Sequence, residues 1–177
     1  SELEKVVEDS RRKLDAWDDE SRRVAEESRR RLEEWRKRLE EVAKRVEERL
    51  RDLKRKAGDR EKLREAKKEL RRVVERIKKL VDEVEKRSEE ILDRNRKLND
   101  KVRKESEKLA EEIKRVDDEE LVKKMARELD ELNKDLDRLN KESKRELERL
   151  NTELAELIKE VERELRELLR KLEEDLR

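Results

Sequence analysis

The side chains able to do chemistry in this sequence are of few kinds. It has no His and no Cys, so imidazole bases, thiol nucleophiles, disulfides, zinc fingers, haem ligation and the Glu-x-x-His di-metal motif of helical bundles are excluded together. The single glycine, Gly58, leaves no Gly-rich loop to cradle a phosphate or to supply an oxyanion hole beside a Ser–Lys pair. What remains among 177 residues is 55 basic groups, 54 acidic groups and 13 uncharged polar residues. We find no catalytic, cofactor-binding or metal-ligating constellation, and the sequence is not expected to encode an enzyme.

The uncharged polar residues carry the clearest pattern. Ser1 reads as a helix cap and Thr152 as a flanking residue, which leaves Ser10, Ser21, Ser28, Ser88, Asn95, Asn99, Ser106, Asn133, Asn140, Ser143 and Asn151. Each is in phase with a large apolar residue one or two 18-residue repeats away: Asn95 with Ile77 and Ile113, Asn140 with Val122 and Ile158, Ser21 with Leu3 and Leu39. They therefore occupy core positions. A buried amide or hydroxyl left unpaired costs about 1–3 kcal/mol, so they are expected to bond to one another in layers. Such layers pair in one register only, whereas an aliphatic stripe tolerates sliding. A polar ligand pocket is the functional alternative, but Asn and Ser make a poor acid/base set.

Helices must position these residues. Leu, Glu, Lys and Arg are strong helix formers, and neither Pro nor an alternating strand pattern occurs. Two interruptions divide the chain. At Gly58 the backbone can take the left-handed conformation that ends a helix, with Asp59 capping the next. At Asp117, Glu120 three residues on completes an acidic capping box, as Glu4 does for Ser1. We therefore expect an all-α, antiparallel up-down-up three-helix bundle forming a single domain over 1–177. Its helices span about 2–57, 60–116 and 118–176, roughly 55 residues and about 80 Å each at 1.5 Å per residue.

The first stripe runs from Leu3 to Ala57 at 3.6 residues per step. Trp17, Trp35 and Leu53 share one phase, as do Leu129, Leu147 and Leu165, and again Leu136, Leu154 and Leu172. Eighteen residues make five turns of a straight helix, so a long, nearly untwisted bundle is expected. Trp17 and Trp35 read as core aromatics rather than a stacking platform. Folding at the two turns sets residue i of the first helix level with about 117 − i in the second and about i + 118 in the third. Ser21 then faces Asn95 and Asn140, Ser28 lies beside Ser88 and close to Ser143, Ser10 beside Ser106, and Trp17 near Asn133. The apolar residues nearly fill three stripes, the third helix being richest and deepest, which fits a monomer with no partner required.

The net charge of +1 provides no field for nucleic acid or anionic lipid. Arg29, Arg30 and Arg31 are flanked by Glu26, Glu27, Glu33 and Glu34 and read as a solvated ion-pair face. No more than two apolar residues are adjacent, far from the about 20 of a membrane span, and no targeting signal is evident.

The SELE start, the AGD and VDDEE turns, the near restriction to Glu, Lys, Arg, Asp, Leu, Val and Ala, and the Asn and Ser reserved for core phases resemble computationally designed helical bundles with buried hydrogen-bond networks. That resemblance covers the whole chain and implies a scaffold without natural biochemical activity, cofactor or ligand. It leaves assembly open. Because the second turn lacks Gly and Pro, the alternative is an interaction module: a helix-exchange partner, or a swapped homo-oligomer in which the second and third helices fuse through 116–120.

Overall fold

The structure is a computed structural model that describes residues 2–56 and 60–175. Three helices account for nearly all of it: α1 (Glu2–Lys56), α2 (Arg60–Arg115) and α3 (Glu119–Asp175). They hold 55, 56 and 57 residues and pack as a three-helix bundle. The starts of all three helices and the end of α2 fall within one residue of the expected ones, while the expected ends at 57 and 176 lie outside the described residues. The proposed caps Ser1 and Asp59 and the turn residue Gly58 lie outside the described residues.

At the second turn the chain leaves helix over 116–118, and the cap is Asp118 rather than the expected Asp117. The Asp118 carboxylate accepts the Glu120 backbone N–H at 3.1 Å. Its carbonyl accepts the Val122 N–H at 3.0 Å, the first helical bond of α3. Either Asp can cap in principle, but the one whose carbonyl already sits in the helical ladder has its side chain within reach of the second helical N–H. Glu119 and Glu120 then place negative charge where the helix dipole favours it, and Lys114 and Arg115 do the converse at the end of α2.

Contacts group the chain into two compact units, one from Ser1–Ser28 with Ser88–Glu148 and the other from Arg29–Arg87 with Arg149–Arg177. The second has the larger dry core, in which Val46, Leu50, Leu70, Ile77, Leu154, Ile158 and Leu165 are buried together. The first has a small apolar cluster of Leu14, Val102 and Leu136 and carries most of the buried polar residues.

Burial follows the 18-residue phase. Leu129, Leu147 and Leu165 are all buried, and so are Leu136, Leu154 and Leu172. Four of the six most completely enclosed large side chains, Leu129, Leu136, Leu154 and Ile158, are on α3, in keeping with its richer stripe. The phase shared by Trp17, Trp35 and Leu53 runs along the rim instead, and all three are half-buried. Among the described residues the exposed large hydrophobics are Leu121 and Leu157, and no helix is long and apolar enough to cross a membrane.

Cross-helix pairs give the direction and register in each unit. In the first, α1 runs antiparallel to α2, with Asp15 and Asp18 on Arg103 and Ser21 on Asn95. In the second, Arg38 and Arg49 of α1 reach Glu162 and Glu173 of α3, both 124 residues further along. In the first unit Ser10 and Asn133 are 123 apart. The expected offset of about 118 is therefore five to six residues short.

Candidate functional site

Three helices converge on one polar layer in the first unit. Asn95 and Asn99 are four residues apart on α2, which puts both carboxamides on one helix face. Asn95 Nδ2 donates to Ser21 Oγ of α1 at 3.4 Å, and Asn99 Nδ2 donates to the same oxygen at 3.3 Å. A hydroxyl has two acceptor lone pairs and one proton, so Ser21 can accept both bonds. From α3, Ser143 Oγ donates to Asn95 Oδ1 at 3.5 Å. Asn95 thus links α1 to α3, its amide nitrogen turned to one and its carbonyl oxygen to the other. A second pair lies apart from it: Ser10 Oγ donates to Asn133 Oδ1 at 3.4 Å.

All four bonds are longer than the 2.7–3.0 Å typical of strong ones. Burial is deep: Ser10, Ser28, Ser88, Asn95, Asn99, Ser106, Asn133, Ser143 and Asn151 are buried, and Ser21 and Asn140 are half-buried. Nine of the eleven core-phase polar side chains are therefore buried, and mutual bonding extends to six of the eleven. Ser28, Ser88 and Ser106 have hydroxyls without a protein partner, as do the Asn151 carbonyl oxygen, the Asn99 carbonyl oxygen and both polar atoms of Asn140.

Two physical reasons separate the bonded from the unbonded. The register shift of α3 carries Ser143 about nine residues, or some 13 Å at 1.5 Å per residue, from the level of Ser28. It also carries Asn133 to Ser10, which was expected beside Ser106, and away from Trp17. Reach supplies the other reason. Helix axes lie about 8–10 Å apart, a gap that an Asn–Ser pair spans and two serines, such as Ser28 and Ser88, do not.

The second unit holds a constellation that the sequence pattern missed. Glu162 is buried on α3 and held by both arms of Arg38, with Nε to Oε1 at 2.9 Å and Nη2 to Oε2 at 3.3 Å. The same guanidinium lies over the Trp35 ring, 5.4 Å from its centroid, within range of a cation–π contact. Glu162 adjoins Val161 and follows Ile158 by one turn, so its place on the stripe's rim was the available signal. It was hidden among 54 acidic residues.

Other ion pairs stitch the helices at the surface. Arg36 of α1 meets Asp82 and Glu85 of α2, Arg76 of α2 meets Glu164 of α3, and Arg94 of α2 meets Glu146 of α3. Burial tends to lower the pKa of Arg103, but Asp18 and Asp15 outweigh it and hold the guanidinium above its ordinary value. Lys97 and Arg96 hold Asp93 below the usual carboxylate range, and Arg170 does the same for Glu167.

Chemically, the layer offers neutral donors and acceptors and no group that exchanges a proton near neutrality. No cluster of three or more His, Cys, Asp or Glu side chains suited to a metal ion occurs among the described residues. Comparison of the chain with protein-family models, with curated proteins and with solved structures found no match.

Proposed function

We propose that the chain is a structural scaffold of the designed-bundle type, with no biochemical activity of its own, in which the serine and asparagine layer specifies helix register and order. The observation that carries this reading is Asn95, bonded at once to Ser21 of α1 and to Ser143 of α3. A carboxamide so placed has both ends paired only when three particular helix levels coincide. Burying amides and hydroxyls gains little stability over well-packed aliphatics, and their value lies in making wrong pairings costly.

The test replaces Ser21, Asn95, Asn99 and Ser143 by Ala, Leu, Leu and Ala, so that no member of the bonded layer is left unpaired. Stability should be kept or raised while uniqueness is lost, seen as multiple or broadened amide resonances and faster hydrogen exchange near the layer. A large drop in melting temperature with unchanged monomer mass and a single set of resonances would refute it. Light scattering on the parent chain distinguishes the runner-up: a dimer mass would assign the layer to self-association through helix exchange at 116–120.

A further inference from the structure

We propose that a cleft between α1 and α2 in the second unit is a binding site for small, uncharged, apolar molecules. The cleft holds about 400 Å³, within the roughly 300–1,000 Å³ of ordinary ligand sites. Its origin lies in the sequence. Arg36 meets Asp82 and Glu85, so Ala43, seven residues further along the antiparallel pair, lies level with 75–78 on α2. Helix axes stand about 8–10 Å apart, and at this level the facing side chains are short: Val42 and Ala43 against Val74 and Val81. The seam is left unfilled. Val161 and Leu165 of α3 wall it on a third side. Ile77 and Val81 are buried, whereas Leu39, Val42, Ala43 and Val74 are only half-buried, so the surface that the cleft opens to water is aliphatic. A hollow of about 440 Å³ in the first unit shows the contrast, since charged side chains supply six of its eight lining residues.

Covering that aliphatic wall supplies the driving force, at about 25 cal/mol per Å² of apolar surface removed from water. Charge selects the ligand. Arg36 and Asp82 at the mouth are paired with each other, and Glu162 is held by both arms of Arg38. Lys44 lies between Glu40, four residues before it, and Glu47, three after; Lys78 lies between Glu75, three before it, and Asp82, four after. At these spacings opposite charges are neighbours on a helix surface. The mouth therefore presents cations and anions in balance, and a charged ligand would give up its hydration with no surplus counter-charge to replace it. An uncharged ligand has no such loss.

The cleft is separate from the polar layer, so failure of this proposal leaves the register reading intact. The experiment uses two fluorescent probes of one skeleton: phenylnaphthylamine, which is neutral, and anilinonaphthalenesulfonate, which adds a sulfonate. Each is titrated into the full chain and into Ala43→Leu, and methyl ¹H,¹³C spectra of the parent chain locate the neutral probe. The expected result is saturable binding of the neutral probe, at least about tenfold tighter than that of the sulfonate. Its methyl shifts should centre on Val42, Val74 and Val81. In Ala43→Leu, whose longer side chain fills the seam, affinity should fall by about tenfold or more. No saturable binding to the parent chain, shifts centred outside the cleft, equal affinity for the sulfonate, or unchanged affinity in a folded Ala43→Leu would each overturn the proposal. If Ala43→Leu does not fold, the methyl shifts of the parent chain decide. A dimer that the neutral probe dissociates would give the cleft to a second copy of the chain and overturn it as well.

Discussion

Removing Asn95 alone should cost more than removing the whole layer around it. In Asn95→Ala the bonds to Ser21 and Ser143 vanish, each with a net worth of about 0.5–1.5 kcal/mol and toward the low end at these lengths. Ser143, which is buried, is left with an unpaired hydroxyl at a cost within the roughly 1–3 kcal/mol range for such groups. The sum is a loss of about 2–4 kcal/mol. At about 2–4 °C per kcal/mol for a chain of this size, the melting temperature falls by roughly 4–16 °C. The combined variant Ser21→Ala, Asn95→Leu, Asn99→Leu, Ser143→Ala removes every partner together. It leaves none of the four in need of a bond, removes the unpaired Asn99 oxygen and adds apolar burial. The cavity of about 70 Å³ beside Asn95 gives the larger side chains room. It should therefore recover to within about 1 kcal/mol of the parent, or exceed it. Guanidinium unfolding followed by circular dichroism measures both, with the slope of the transition checked for constancy. A combined variant less stable than Asn95→Ala would refute the reasoning, because it would make the polar layer a net source of stability.

Three further outcomes follow from single sites. Arg38→Ala should strip the buried Glu162 of its bidentate partner and cost about 1–3 kcal/mol, less than the roughly 3–5 kcal/mol of a fully buried pair, because the Arg38 side chain is 51 % exposed; joint replacement of Arg38 by Met and Glu162 by Leu should recover most of the loss in the same unfolding assay. Asp118→Ala should cost about 1 kcal/mol as a lost cap, while Asp117→Ala stays within about 0.5 kcal/mol, and the reverse ranking in chemical denaturation would return the cap to Asp117. The lowered pKa values of Asp93 and Glu167 mean that the unfolded chain takes up these protons first, so both carboxylates stabilise the fold above the ordinary values of 3.8 and 4.5 and lose that contribution as pH falls through their lower folded values. Melting temperature should therefore fall on acidification, weakly because both groups are exposed, and the double substitution Asp93→Asn with Glu167→Gln should flatten the slope; an unaltered slope in thermal melts across this range would contradict the assignment.

Helix ends and core faces were legible because they depend on local chemistry: Asp118 differs from Asp117 by one step in the ladder, and Leu129, Leu147 and Leu165 share a phase that periodicity alone reveals. Register was not. It depends on contacts between residues more than 120 apart in the chain, which no local signal records, so that Asn133 met Ser10 and Ser143 drew away from Ser28. Trp17 and Trp35 were legible as stripe residues, yet their phase is the rim, where a ring too large for the seam keeps one edge in water. Glu162 escaped because a single buried carboxylate leaves no mark in a pattern built from apolar spacing.

A register error costs different amounts in the aliphatic and the polar settings, and the layer's value lies in that difference. On α3, Ile158, Leu165 and Leu172 are seven residues apart and all buried, so a slip of seven residues exchanges one aliphatic side chain for another at little cost. The same slip moves α3 by about 10.5 Å and presents Leu136 or Leu150 where Ser143 stands. The Asn95 carbonyl then has no donor, and the Ser143 hydroxyl is stranded elsewhere. At about 1–3 kcal/mol for each group, the penalty is some 2–6 kcal/mol, and with about tenfold in population for every 1.4 kcal/mol the slipped form falls to a few per cent or far below. Weak, long hydrogen bonds suffice for this purpose, since discrimination rests on what is left unpaired in the wrong register more than on what is gained in the right one.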